Sequence, residues 1–152
     1  MTNKELKQAF IDVIKDEDGK LYKTHPTVLR NGTRFIDYTE DGVLTMDYPI
    51  MPEQCNGMHI LQGGNLLSFI DDNFGLFVYL SLEGKPAVTV NMEINFHKSV
   101  TVEDGYVRVV SRVVSAGKKV FSLRAEAFAP DGKLIATCTS NVLNLTGAYL
   151  SI

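Results

Sequence analysis

The chain has 152 residues, 45% of them apolar and 22% charged, with a formal net charge of −3. Those values suit a single folded domain, 1–152, with a sizeable core, and exclude a disordered chain. Scattered lysines and arginines give no basic footprint for nucleic acid, and no apolar run is long enough to span a bilayer.

The N-terminal stretch MTNKELKQAF lacks the apolar core of a signal peptide. Cys55 and Cys138 stand alone, without metal-ligand spacing, and read as free buried thiols of a cytoplasmic protein. Three histidines, also without ligand spacing, give no metal site.

In chain order, residues 2–15 read as a helix. Thr2 and Glu5 fit a capping box, and Leu6, Phe10, Val13 and Ile14 form one stripe. Residues 16–20 end it, and the chain to Gly32 reads as irregular. Residues 34–50 read as a hairpin, with Asp41-Gly42 between two β-prone runs. An apolar run from about Leu66 to Leu82 is too long for a strand and reads as a helix buried nearly all round. The period then changes to two. In residues 87–97, Val88, Val90, Met92, Ile94 and Phe96 are expected on one face, and Thr89, Asn91, Glu93, Asn95 and His97 on the other. Residues 106–115, 118–129 and 133–145 are three further strands, joined by turns at Ser115-Ala116-Gly117 and Pro130-Asp131-Gly132, so antiparallel pairing is expected. The order of elements predicts an α+β fold in which an antiparallel sheet wraps one apolar helix.

Residues 54–75, QCNGMHILQGGNLLSFIDDNFG, carry the chemical interest. Taken singly, Gly63-Gly64 is a turn into a helix, Asn56-Gly57 is a turn, and Asp71-Asp72 is a solvated edge. Taken together they suit acyl transfer. A helix N-terminus offers unpaired amides and partial positive charge, and glycines let a carbonyl approach them. An ionised aspartate can attack that carbonyl or activate water. Gly63 and Asp71 are separated by about 12 Å along a helix, so one carbonyl cannot touch both in one chain. Sharing between two antiparallel copies solves this and predicts a homodimer with two shared sites. Periodicity accommodates Asp72 better, on a stripe with Asn65, Ser68, Gly75 and Tyr79. Asp71 falls beside Leu67, Phe74 and Val78, where a charge is costly unless paired or functional.

These residues resemble the hotdog-fold acyl-CoA thioesterases, particularly the branch containing phenylacetyl-CoA and 4-hydroxybenzoyl-CoA thioesterases. That branch shows an Asn, His-Gly-Gly six residues later, six further residues and an acidic residue. Here Asn56 is followed by QGG at 62–64 and by Asp71, and GKPAVTVNMEINF puts Thr89 where the family carries Ser or Thr. The likeness covers roughly residues 24–145. It implies a hotdog fold, a curved antiparallel sheet around a long central helix with an added N-terminal helix.

The resemblance also implies roles. Gly63 would supply the amide that polarises the thioester carbonyl. Asp71, from the partner subunit, would be nucleophile or general base, with Asp72 a structural neighbour. Thr89 would orient the carboxylate or its water, and Asn56 would hold the water or the carbonyl. The family's His is Gln62 here, which can hydrogen-bond but cannot titrate. Gln62, Gly64, Asp72 and His59 are the remaining substrate-side residues, His59 as a substitute for the absent imidazole. Lys118 and Lys119 form a basic turn suited to the phosphates of coenzyme A, with an ordinary exposed hairpin as the alternative. Phe69, Phe74, Phe77 and Tyr79 are either acyl-tunnel walls or plain core. The implied substrate is an acyl- or aryl-acyl-CoA, with no cofactor beyond the coenzyme A it carries and a homodimer or dimer of dimers as the assembly. A non-catalytic acyl-CoA-binding hotdog protein and a hotdog dehydratase or hydratase are the competing functions. The second generally uses a His, which Gln62 does not provide.

Overall fold

A computed structural model describes residues 2–13 and 25–146. The predicted end of the first helix beyond Val13 lies outside the described residues. Helix α1 (Asn3–Asp12) begins as expected: Glu5 N donates to Thr2 Oγ1 at 3.2 Å, and Thr2 N donates to Glu5 Oε2 at 2.6 Å. Its stripe buries Leu6 and Phe10.

The stretch before Gly32 is not wholly irregular. Pro26, with φ preset and no amide to satisfy, starts a short helix α2 (Pro26–Arg30) that buries Val28. Strands β1 (Arg34–Tyr38) and β2 (Val43–Pro49) form the expected hairpin, closed by Gly42 N donating to Thr39 O and by Gly42 at φ +81°. Helix α3 (Gly63–Ser81) starts three residues earlier than its apolar pattern, because extended Gln62 takes the N-cap and its carbonyl accepts from Asn65 and Leu66. Strands β3 (Ala87–Phe96), β4 (Tyr106–Ala116), β5 (Val120–Phe128) and β6 (Leu134–Asn144) complete the order.

All six strands join one antiparallel sheet in the order β1-β2-β4-β5-β6-β3. The sheet curves around α3 and gives the hotdog fold, with α1 as the N-terminal addition. Leu66, Phe69, Ile70, Phe74, Leu76, Phe77 and Val78 of α3 are buried against strand residues such as Leu44, Met46, Val109, Leu123 and Cys138. Tyr48 stacks on Phe69 with centroids 5.1 Å apart. Phe69, Phe74 and Phe77 are therefore core, although Phe77 also floors a cavity under α1, and Tyr79 is the one of the four that reaches the cavity beside Thr89. Among the described residues no helix is long and apolar enough to cross a membrane.

The simple alternation predicted for β3 fails at one point. Thr89 pairs with Val142 and Asn91 with Asn141, so Val90 is an extra residue, a bulge. Met92, Ile94 and Phe96 keep the α3 side, opposite Ser140, Cys138 and Ala136. Across the bulge the parity reverses. Thr89 turns to the helix side, opposite buried Val142, while Val88 and Val90 are 42% and 59% exposed. β3 is also an edge strand, bonded only to β6.

Phe10 fixes α1 to this frame: it is fully buried, stacked on Phe35 at 5.4 Å and packed against Tyr38 and Phe77. Phe10→Ala should lower unfolding free energy by about 3–5 kcal/mol, as for other large core truncations, measured by urea denaturation.

Candidate active site

The site has two halves, one at each end of a stretch of α3. The first is the helix N-terminus. The amides of Gly63 and Gly64 are among the first of the helix and have no acceptor among the described residues. Gln62 does not cap them; its Oε1 accepts instead from Asn65 Nδ2 at 3.2 Å. The two glycines differ in necessity. A Cβ on Gly63 would meet Phe96 Cζ at 2.9 Å, whereas one on Gly64 would meet only the Gln62 side chain, no nearer than 3.6 Å.

In front of Gly63 lies a cavity of about 380 Å³, lined by Asn56, Gln62, Gly63, Phe96, Lys98 and Ser99 among others. Asn56 is fixed by its own loop: its Oδ1 accepts from the amides of Met58 (3.0 Å) and Ile60 (3.2 Å). That leaves its NH₂ group as the donor it can offer. His59 sits in the same turn, exposed, at φ +62°, and does not line the cavity. Phe96 and Lys98 were not legible as site residues, because nothing local ties the end of β3 to the start of α3.

The second half is centred on Asp71, eight residues on. Its Oδ1 accepts from Thr89 Oγ1 at 2.8 Å, a bond that the β3 bulge makes possible. No lysine or arginine among the described residues pairs with it. Asp72 faces α2 instead, accepting from Thr27 Oγ1 at 2.8 Å and Asn31 Nδ2 at 2.6 Å. Burial pushes the Asp72 carboxyl above its ordinary 3.8; the bonds from Thr27 and Asn31 oppose this, and the charge of Asp71 adds to it. Cys138 lies beneath: burial first, then Asp71, pushes its thiol up to about 11, so it is protonated near neutral pH and is no nucleophile. On the far side of Thr89 from α3's first turn is a second cavity, of about 410 Å³, lined by Thr89, Gly75, Tyr79 and His25 among others; Asp71 reaches it through Thr89.

One chain does not bring the halves together, since about 12 Å of α3 separates Gly63 from Asp71. Lys118 and Lys119 sit in the β4–β5 turn, beside Asn144, whose amide donates to Lys119 O. Asn144 pairs with Ala87, so these lysines stand at the Ala87 end of β3, while the Gly63 cavity is at the Phe96 end. His97 Nε2 is 2.9 Å from Thr137 Oγ1, and the His25 ring meets Tyr79 edge-on at 4.5 Å. Among the described residues no group of three or more His, Cys, Asp or Glu is placed to hold a metal ion.

The sequence model described as the thioesterase superfamily matches residues 58–136, just over half the chain. That span includes Gly63, Asp71 and Thr89 and stops short of Asn56. No curated protein sequence matches. Solved structures do. Conserved protein PA5202 of Pseudomonas aeruginosa is 28% identical at a TM-score of 0.70, over 80% of this chain and 95% of that one. The phenylacetic acid degradation-related protein of Ralstonia eutropha JMP134 is 27% identical at a TM-score of 0.71, over 79% and 91%. A Streptococcus mutans UA159 protein bound to acetyl CoA is 18% identical at a TM-score of 0.68, over 81% and 96%, a likeness of fold.

The environment of Asp72 has a measurable consequence. Folding raises its pKa, so the folded chain holds the proton more tightly than the unfolded one. Its contribution to stability is fully present below about 3.8 and is lost as pH rises through the higher folded value. In urea denaturation at a series of pH values, the wild type should show that downward slope and Asp72→Asn should lack it.

Proposed function

We infer the chemistry from one plain premise: the chain belongs to the thioesterase superfamily. The proposed reaction is hydrolysis of the thioester of an acyl- or aryl-acyl-CoA. The observation that carries it is the pair of groups on α3: unengaged amides at Gly63-Gly64, and the Asp71 carboxylate held by Thr89. The first suits the oxygen of a thioester carbonyl as it gains charge, and the second suits attack on the carbonyl carbon or deprotonation of a water. The products are a carboxylic acid and the free thiol of coenzyme A. A thiolate is a good leaving group, its conjugate acid having a pKa of about 8.5, so an uncharged Gln62 is compatible with departure without an imidazole acid. The Streptococcus mutans protein with acetyl CoA supports coenzyme A thioesters as ligands of this fold.

The working unit in this proposal is a homodimer. β3 presents an unpaired edge, which favours strand addition. Two such edges paired antiparallel about a two-fold axis would set the Thr89 end of one against the Phe96 end of the other. Asp71 of one copy would then approach Gly63 and Asn56 of its partner. Lys118 and Lys119 of one copy would approach the cavity rimmed by Lys98 of the other, a basic setting for phosphates.

Thiol release from a panel of acyl-CoAs tests the activity directly, and no release from any of them ends this reading. In that assay Asp71→Asn should lower kcat by about 10²–10⁴-fold, with Asp72→Asn costing far less. Near-normal turnover in Asp71→Asn would transfer the role elsewhere.

Subunit sharing has a separate test. Asn56→Ala and Asp71→Asn should each be nearly inactive. Unfolded together and refolded, they should recover about a quarter of wild-type activity, since half the dimers are mixed and each mixed dimer has one intact site. If mixed dimers verified by mass are no more active than their parents, the site is not shared.

A further inference from the structure

Gly75 sits in the interior of α3, where glycine weakens a helix relative to alanine. Neither ordinary reason for glycine applies. Its φ is not positive, and a Cβ built there meets no heavy atom within 4 Å. The space in front of it is the 410 Å³ cavity that also holds Thr89. Asp71, Gly75 and Tyr79 are four residues apart and form one row along α3, about 12 Å from first to last. At the far end the Tyr79 hydroxyl packs towards Gly84, 3.3 Å from where a Cβ would sit, and the His25 ring closes against Tyr79 at 4.5 Å.

We propose that Gly75 sets the width of an acyl-binding cavity running from Thr89, the hydrogen-bond partner of Asp71, to the His25–Tyr79 pair. The inference rests on the thioesterase reading and deepens it. A thioester carbonyl placed at Asp71 directs its acyl group past Gly75 and towards Tyr79. The missing side chain makes room there for a group that is broad close to the carbonyl, ring-bearing or branched, rather than a thin straight chain. A volume of this size is within the range of small-ligand pockets.

The test uses Gly75→Ala and Gly75→Leu, with acetyl-, hexanoyl- and phenylacetyl-CoA as probes. The readout is the ratio of kcat/KM for phenylacetyl-CoA to that for acetyl-CoA. Gly75→Leu should lower the ratio by about tenfold or more, Gly75→Ala by less, because one or a few methylenes in a substrate pocket discriminate by roughly 10–200-fold. Gly75→Ala should also raise the melting temperature, since the helix gains and nothing is crowded. An active Gly75→Leu enzyme with an unchanged ratio overturns the proposal. So does equal loss on all substrates with dissociation to monomers, which would assign the gap to packing between copies. If the wild type neither hydrolyses these thioesters nor binds their thioether analogues in calorimetry, the thioesterase reading and the cavity assignment fall together. If the wild type is active and only the ratio is insensitive, the cavity assignment alone falls.

Discussion

Burial of the broad apolar face of α3, from Leu66 to Val78, is the constraint on which the rest of the molecule depends; the face carrying Ser68, Asp71, Asp72 and Gly75 is only partly covered, not buried all round as its composition predicts. The helix carries three glycines and two adjacent aspartates, a poor composition for a helix in isolation. Glycine in a helix interior costs about 1 kcal/mol relative to alanine. Phe69, Phe74 and Phe77 are each at most 2% exposed, and burying such a side chain contributes about 1.5–3 kcal/mol. Burial wins, so the helix tolerates Gly63, Gly64 and Gly75 at the positions that need them. The same burial dictates where chemistry can occur. The helix is reachable at its N-terminal turn and along the partly exposed face that includes Asp71 and Gly75.

Two neighbouring carboxylates on that helix meet different surroundings because successive residues point about 100° apart. Asp72 is turned under α2, where Thr27 and Asn31 supply donors, and burial still pushes its pKa up. Asp71 is turned towards β3, with one donor, Thr89, and a cavity beyond that donor. A carboxylate satisfied on both oxygens by its own chain has little capacity left for a substrate. One with a single hydroxyl partner retains it. Cys138, the nearby alternative nucleophile, is disabled by the burial that makes it good core.

Much of this was legible in the sequence because it is local. The capping box at Thr2 and Glu5, the Asp41-Gly42 hairpin, the long apolar helix and the turns at Gly117 and Gly132 are written in short-range patterns, and each stands where its pattern puts it. The change from turn residues to an apolar run singled out Gly63 and the two aspartates; the resemblance favoured Asp71 of the two and alone supplied Thr89. What was not legible is long-range. α2 was missed because five residues behind a proline carry too little periodicity. Phe96 against Gly63, Lys98 at the cavity and His25 against Tyr79 join segments distant in the chain, and no local rule links them. The Gly75–Tyr79 stripe was visible, but grouped with Asp72; the structure sets Gly75 beside Thr89 and the Asp71 side.

Another local expectation that failed, strict alternation in β3, failed beside the candidate site. Without the extra residue at Val90, Thr89 would face outward and an apolar valine would stand towards Asp71. A half-buried carboxylate would then lose its hydroxyl donor, at a cost of the order of 1–3 kcal/mol for an unmet polar group. The bulge reverses parity over a single residue, bringing Thr89 to the helix side while Met92, Ile94 and Phe96 keep their places in the wrap. β3 thus touches both halves of the candidate site: near its start Thr89 holds Asp71, and its last residue, Phe96, packs on Gly63. Those ends lie seven residues apart, roughly 23 Å along a strand. A strand that serves two half-sites at opposite ends, with an unpaired edge between them, has the geometry that antiparallel pairing with its own copy would complete.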